Sequence, residues 1–471
     1  MRTIEEYKKT MMSTLDNNVF IYTSDNKYTY MEFWSKAYVI SNKIREGSYK
    51  DIVAVMNNGF NLFVLYFSAM LSNRTLIPID PLKAENEINH ILSENPSAEI
   101  IRDNSLLFDD KERQVTQSEL KERVNEIDFK RVYLITYTSG STGHPKGVKH
   151  SLQNLFAAAD SFGSAVGLGE GFTMCHVMPM TYMAGILNTI ILPFLYKCKI
   201  AIMPRFDVMS ALSFWKDVER SGVNAFWLSP TMLNILLMID KKGKAREYLS
   251  KRETLFFIGT APLYENTRTA FESRYGVRLL QSYGLSETLF ISTETNNNSK
   301  ALSSVGRILP EADVQFGEDS EIRINVPWMF LGYSNEETNA YFDKQYYLSG
   351  DLGVEDNGNL YITGRKKDLI IKGGMNISPK QIEDVIIRND YIRECAVCGV
   401  EINNEERIVC WYISSEKDPS IENTINKQVE KEIGKNSKID LFLKVEEIPK
   451  NINGKIDKKR LKEEYINDFK I

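Results

Sequence analysis

The sequence predicts an α/β protein of at least two domains: a large amino-terminal one with mainly parallel sheets flanked by helices, and a small α+β one at the carboxy terminus. Its 471 residues exceed the roughly 250–300 over which a single hydrophobic core usually grows. From about residue 30 to residue 300, segments of helical period alternate with short β-branched runs, the pattern of strands joined by crossover helices. Beyond residue 300 the texture changes to short strands broken by glycine, aspartate and asparagine turns, which marks a smaller β-rich subregion.

Along the chain, Asn61 to Leu71 has the pattern of a helix and Thr75 to Ile79 that of the strand after it; Val208 to Ser221 and Ala225 to Leu228 repeat the alternation. The longest apolar stretches, Phe60 to Leu71 and Gly185 to Tyr196, fall short of the ~20 residues that a membrane span needs, so both are expected in the core. Val314 to Ile324 and Tyr346 to Ile362 read as antiparallel meanders. The charged stretch Gly364 to Lys372 interrupts the patterning, and a domain boundary is placed there, giving residues 1–366 and 367–471.

Composition excludes several classes of function. Hydrophobic residues are 43% and charged ones 26% of the chain, a balance that packs a core. With 58 basic against 63 acidic side chains the net charge is −5, so no overall field gathers nucleic acid. Met1 to Met12 mix acids with bases and no apolar run follows; they lack the form of an export signal, and a cytoplasmic location is expected. Five cysteines, at 175, 198, 395, 398 and 410, are odd in number and scattered, which argues for reduced thiols. Cys395 and Cys398 form a single CxxC in a strand-like run, short of the ligands of a structural zinc site.

The chemistry begins where strand-like Arg131 to Thr136 runs into Tyr137-Thr-Ser-Gly-Ser-Thr-Gly-His-Pro-Lys-Gly-Val148. Gly140 and Gly143 let backbone amides approach an anion, the hydroxyls of Thr138, Ser139, Ser141 and Thr142 add donors, and Lys146 adds a cation. The order Pro-Lys-Gly departs from the GxxxxGK[ST] phosphate loop. The whole string resembles the signature loop of the adenylate-forming superfamily, which includes acyl-CoA synthetases, peptide-synthetase adenylation domains and luciferases.

Further segments resemble that family's motifs, in the family's order. Gly259-Thr260-Ala261-Pro262 is similar to the backbone wall of the adenine and acyl pocket. Gln281 to Thr288 contains Ser282, Tyr283, Gly284, Ser286 and Glu287; the resemblance implies that Tyr283 stacks on adenine and Glu287 helps hold magnesium, with Ser286 where threonine is usual. Asp351 stands where the family grips the ribose, and a carboxylate can accept two hydrogen bonds from a vicinal diol. In Gly364 to Asp368 the resemblance implies a ribose contact at Arg365 and the pivot of a small mobile domain at Lys367. Gly373 and Gly374 resemble the loop that faces a thiol acceptor, where two glycines would let a pantetheine arm pass close to backbone. Lys455 stands where the family carries its catalytic lysine.

The activity implied by this resemblance is ATP- and Mg2+-dependent activation of a carboxylic acid as acyl-adenylate, followed by thioester formation with coenzyme A. The catalytic residues would be Lys455, Glu287 and Lys146, with Thr142 and Glu287 at the metal. Tyr182, Met183, Phe226 and Leu228 are candidates for the acyl pocket, Tyr182 replacing a histidine that is common in the family. No acidic residue occurs between Phe172 and Lys197, which disfavours an α-amino acid, whose ammonium would need a partner. Two alternatives are an adenylation enzyme that loads the phosphopantetheine of an acyl or aryl carrier protein, and an inactive nucleotide-binding relative. The joint presence of Lys146, Glu287, Asp351, Arg365 and Lys455 opposes the latter.

Overall fold

Short runs rich in valine, isoleucine and phenylalanine become strands here because both of their faces are covered. The computed structural model describes residues 1–471 except 48, 109–112, 114, 139–144, 298–300, 335–336, 373, 403–404, 415–419, 452–454 and 470–471. Five strands form one sheet, in the order Glu99–Arg102, Asp51–Val55, Thr75–Ile79, Val132–Thr138 and Lys146–Ser151. Its neighbours are parallel except for the last pair, a hairpin. A larger sheet runs parallel through Val19–Tyr22, Lys199–Ile202, Thr173–His176, Ala225–Leu228, Leu255–Ile258 and Leu279–Leu285. There it turns antiparallel and continues through Leu289–Thr293, Arg307–Ile308, Asn359–Arg365, Tyr346–Asp356, Glu321–Asn325 and Asp313–Phe316.

Alternation along each strand sorts the side chains into layers. Ile52, Ala54, Leu76 and Leu134 of the first sheet share one interior cluster with Ile200, Ala225, Trp227 and Phe257 of the second. The helices Phe60–Ser72 and Leu152–Val166 fill that shared layer. Val53, Val55, Ile77 and Ile79 face the opposite way, against Ile91 of the helix Glu85–Glu94. Cys175, Phe226, Leu228 and Phe256 likewise face outward, under the helices Phe214–Ser221 and Pro230–Ile239. Each fully buried Leu or Phe contributes about 1.5–3 kcal/mol, so the middle layer is the main store of stability.

The expected helix from Val208 to Ser221 is two: Val208–Ala211, capped by Asp207, and Phe214–Ser221, ended by left-handed Gly222. The break falls where the apolar face swings outward, leaving Val208, Met209 and Leu212 exposed. Gly185 to Leu195 lies in a buried helical run, Met183–Leu195, whose middle, Leu187–Ile191, is π-helical, and Tyr196 follows as its cap. Among the described residues no helix is long and apolar enough to cross a membrane.

After the charged break, the hairpin Ile370–Lys372 and Met375–Ile377 leads to a three-stranded sheet of Ile392–Ile402, Glu405–Ser414 and Leu441–Lys444. Helices Pro379–Ile386 and Ser420–Glu432 cover one face and Lys458–Phe469 the other. Cys395 packs into the first of these layers and Cys398 into the second, because strand residues three apart face opposite ways. The two thiols therefore cannot share one ion.

Two histidines are wholly enclosed. His150 bonds through Nε2 to the Ser286 carbonyl at 2.7 Å, and His176 through Nδ1 to Thr189 Oγ1 at 2.7 Å. Burial pushes both imidazoles down from 6.5 to about 4. Below 6.5 the unfolded chain binds these protons and the folded chain does not, so stability is complete above that pH and declines as pH falls towards 4. Each histidine accounts for on the order of 3 kcal/mol over that window. Urea midpoints are expected to fall from pH 7 to pH 5, and His150→Gln should flatten part of the slope; an unaltered slope would exonerate His150.

Candidate active site

The hairpin Val132–Thr138 and Lys146–Ser151 closes with Thr138 opposite Lys146. Ser139, Gly140, Ser141, Thr142 and Gly143, between them, lie outside the described residues. Lys146 is buried, donates to the Tyr341 hydroxyl, and stands 5.5 Å from the Tyr333 ring centroid and 4.5 Å from that of Tyr341. Tyr333 also donates to Glu287 Oε1 at 2.8 Å, and its hydroxyl is 2.9 Å from that of Tyr347. The segment carrying Tyr333 is strapped to the hairpin: Leu331 N–H donates to the Lys149 carbonyl and Ser334 N–H to that of Gly147, both at 2.8 Å. Burial raises the Glu287 carboxyl above its ordinary range, against the Tyr333 hydrogen bond and the charge of Lys146. A cation and a carboxyl are thus held on one frame of tyrosines.

A second group adjoins it through shared elements. The Tyr283 hydroxyl donates to Asp351 Oδ2 at 2.8 Å, and Arg365 Nε lies 2.9 Å from Asp351 Oδ1. Asp351 and Arg365 are register partners across the strands Tyr346–Asp356 and Asn359–Arg365. Asp351 is buried and its charge raises the Arg365 guanidinium further, while burial raises the Tyr283 hydroxyl. Each carboxylate oxygen of Asp351 thus accepts one bond, of the two that such an oxygen can take. Gly284 is required by its surroundings, since a Cβ there would lie 2.0 Å from the Leu289 carbonyl oxygen.

Strand Leu255–Ile258 delivers Gly259, Thr260, Ala261 and Pro262 to the same end of the sheet. Thr260 has φ 71°, a left-handed conformation that costs a β-branched residue on the order of 1–3 kcal/mol. Ser282 Oγ donates back to the Ile258 carbonyl at 3.3 Å. Ser286 accepts the His150 bond through its carbonyl, which fixes the turn into Glu287.

Of the four acyl-pocket candidates, two lie on the outer side of their strand. Phe226 and Leu228 are fully buried in the outer layer, and Phe226 stacks on Phe256 at 4.1 Å. Strand alternation turns Trp227 instead to the inner side, where it is 2% exposed. Tyr182 is part-exposed at the start of the helix Met183–Ile186, and Met183 is buried in the interior cluster.

The small domain meets this end of the sheet through Ser378, whose hydroxyl donates to the Thr363 carbonyl at 2.7 Å, and through Asn266 Nδ2, 3.3 Å from the Ile387 carbonyl. Lys366 pairs with Asp319 at 2.6 Å and Glu321 at 2.9 Å, and Lys372 pairs with Asp440 at 2.7 Å. Exposed Lys367 lies between these anchors, in the turn Lys366–Asp368. Gly374, at φ 75°, closes the small hairpin; Gly373 lies outside the described residues. Lys455 is part-exposed, with its backbone N–H on Asn451 Oδ1 at 3.1 Å. Its carbonyl in turn accepts from the Asn451 N–H at 2.8 Å. Sequence reasoning missed Tyr333, Tyr341 and His150, which have no local motif and acquire their places only through tertiary pairing.

Residues 8–333 match the AMP-binding enzyme family, and residues 381–455 match the AMP-binding enzyme C-terminal domain. The chain belongs to the AMP-binding enzyme family. A 2-succinylbenzoate–CoA ligase of Bacillus pumilus is 26% identical to this AMP-binding enzyme over 94% of each chain. A D-alanine–D-alanyl carrier protein ligase of Bacillus licheniformis is 24% identical over 98% of this chain and 99% of its own. The crystal structure of ATP-bound MatB from Rhodopseudomonas palustris superposes with a TM-score of 0.84 at 21% identity, covering 98% of this chain and 99% of that one, which shows a common fold.

In this AMP-binding enzyme, Tyr333→Phe removes a hydrogen bond that favours the ionised form of Glu287. The Glu287 carboxyl is expected to titrate higher in the variant than in the parent, read by NMR of its carboxyl carbon; an unchanged or lower titration would remove Tyr333 from that role.

Proposed function

We propose that this enzyme is an AMP-forming acid–thiol ligase, which activates a carboxylic acid with ATP and passes the acyl group to coenzyme A. The observation that carries this reading is the meeting, at one end of the large sheet, of the Tyr283–Asp351–Arg365 group with the Lys146–Glu287 group. One suits a nucleoside and the other a polyphosphate. The CoA ligase names of relatives that span nearly the whole chain support it.

A carboxylate is a poor electrophile, because its leaving group would be oxide. In the first step the substrate carboxylate oxygen attacks the α-phosphorus of ATP, a P–O bond forms, and pyrophosphate leaves. Such a transfer depends chiefly on positioning and on neutralising phosphoryl charge. Tyr283 holds the adenine, Asp351 and Arg365 the ribose, and the loop Thr138 to Lys146 the β- and γ-phosphates. Gly259 to Pro262, with Ser282 and Gly284, form the wall. A carboxyl that burial pushes up gains from a nearby cation, and Mg2+ is commonly held by one or two carboxylates together with phosphate oxygens and water, so Glu287 fits it. Glu287, with Thr142, would hold Mg2+ where it neutralises phosphate charge. Lys455 bridges the two anions, the acyl carboxylate and the α-phosphate.

In the second step a thiolate attacks the acyl carbon, the thioester forms and AMP leaves. The small domain turns about Lys367, withdraws Lys455 and presents Gly373 and Gly374 to the pantetheine arm. A second reading, transfer to a carrier protein rather than to coenzyme A, is favoured by the carrier protein ligase that matches nearly end to end.

The test is pyrophosphate release from ATP and Mg2+ over a panel of carboxylic acids, with hydroxylamine as acceptor; ADP as the nucleotide product would overturn the reading. Thioester formation on coenzyme A against isolated carrier proteins then separates the two acceptors. Lys455→Ala should lower adenylate formation by at least 100-fold and leave thioester formation from supplied acyl-adenylate largely intact; equal loss of both steps would sink the assigned role. Lys367→Pro, which fixes φ at the pivot, should spare adenylation and slow thioester formation, a split visible in separate half-reaction assays; unchanged thioester formation would exclude Lys367 as the pivot.

A further inference from the structure

Two residues after the wall Gly259 to Pro262, the large domain sends an aromatic ring into the small one. Leu263 is buried in the outer layer of the large sheet, and Tyr264, next to it, packs against the cluster that Ile382, Val385 and Cys395 help build in the small domain. Among the described residues it is the one hydrophobic side chain of the large domain packed there. Lys380 stands over its ring, with Nζ 5.8 Å from the centroid. Burial, and the charges of Glu383, Asp384 and Glu394, raise its hydroxyl, so the groups around the phenol belong to the small domain. The helix Pro379–Ile386 is held to the large domain at both ends as well. Ser378, just before it, donates to the Thr363 carbonyl at 2.7 Å, and Ile387, just after it, accepts from Asn266 Nδ2 at 3.3 Å. Such hydrogen bonds can be exchanged for bonds to water at little net cost, whereas the ring is removed from water only while the domains touch. The ring therefore gives this seat its strength.

The same helix carries buried Glu383, whose Oε1 accepts from Lys458 Nζ at 2.7 Å and from the Val397 N–H at 2.9 Å. Lys458 opens the last helix, Lys458–Phe469, three residues after Lys455. The chain before it is closed on itself, since the Asp457 N–H donates to the Pro449 carbonyl at 2.8 Å. Seating the helix Pro379–Ile386 thus also places the segment that bears Lys455. In this seat the hairpin of Gly374 faces solvent, with Ile371 63% and Met375 52% exposed. The orientation that Tyr264 holds is therefore not one in which that hairpin is packed into the site, and it belongs with the step before the thiol arrives.

We propose that Tyr264 is a positioning residue of the first half-reaction, whose ring seats the small domain beside the substrate wall and, through Glu383 and Lys458, sets the place of the Lys455 segment. The inference rests on the ligase reading above and adds to it the contact that must break before the small domain turns.

The experiment assays the two half-reactions separately with the intact protein. Tyr264→Ala should lower adenylate formation by about 10-fold, because the rate follows the fraction of molecules in the competent orientation. Thioester formation from supplied acyl-adenylate should be equal or faster. Tyr264→Phe, which keeps the ring, should restore adenylation to nearly the parent rate. Equal loss of both steps, or loss of neither, would overturn the proposal. A second measurement does not use activity. All five cysteines are buried, so spin labels can be carried by Lys216→Cys and Lys427→Cys, at exposed positions on one helix of each domain, and their separation read by pulsed electron paramagnetic resonance. A narrow distribution in the parent should broaden in Tyr264→Ala and narrow again in Tyr264→Phe; the same distribution in all three would overturn the seat. A parent that makes ADP, or that releases no pyrophosphate with any acid, would overturn the ligase reading instead, and the label distances would then decide by themselves whether Tyr264 seats the small domain.

Discussion

Strand Leu279–Leu285 is hydrogen-bonded to a parallel neighbour along one edge and to an antiparallel one along the other, and the candidate site depends on that double pairing. Parallel pairing aligns the carboxy-terminal ends of Ala225–Leu228, Leu255–Ile258 and Leu279–Leu285, so the residues that follow each strand gather on one rim, where crevices of open α/β sheets form. Antiparallel pairing sends the chain straight back after Leu285. That return places Glu287 four residues from Tyr283 yet on a different frame, beside Lys146 rather than Asp351. A strand with one kind of partner could serve only one of the two groups.

The two groups handle charge differently. Asp351 is met in advance by Arg365 on one oxygen and by Tyr283 on the other. Glu287 is left under tension, with burial opposed by two phenols, those of Tyr333 and Tyr347, and a neighbouring ammonium. Preorganised charge of the first kind positions a ligand, and unsettled charge of the second kind rewards the arrival of a cation. Aromatic hydroxyls, which stay neutral when burial raises them, can bond to both without adding charge of their own.

Much of this was legible in the sequence because the family's motifs are local: a strand, the short loop after it, and the residues on that loop. Gly259, Tyr283, Glu287, Asp351 and Arg365 are found by string and order, and their elements follow from alternating patterns that tertiary packing reinforces. What was not legible depends on which way a strand faces. Phe226, Trp227 and Leu228 are all apolar, and a strand covered on both faces shows no alternation of polarity to say which side is inner. Phe226 and Leu228 pack outward and Trp227 inward. Tyr333 and His150 were invisible for a related reason, since each acts through a partner more than forty residues away in sequence. The break between Val208–Ala211 and Phe214–Ser221 was hidden because their apolar positions continue in phase for a single turn.

The alternation at residues 225–228 assigns neighbouring codons to different layers of the molecule. Phe226 and Leu228 are pinned by the outer layer, against Phe256 and the helices above it. Trp227, between them in sequence, is pinned by the inner layer, against Phe162, Phe257 and Phe290. A change at any of the three loses packing on one side or the other, so heritable variation along this strand is bounded by two layers at once.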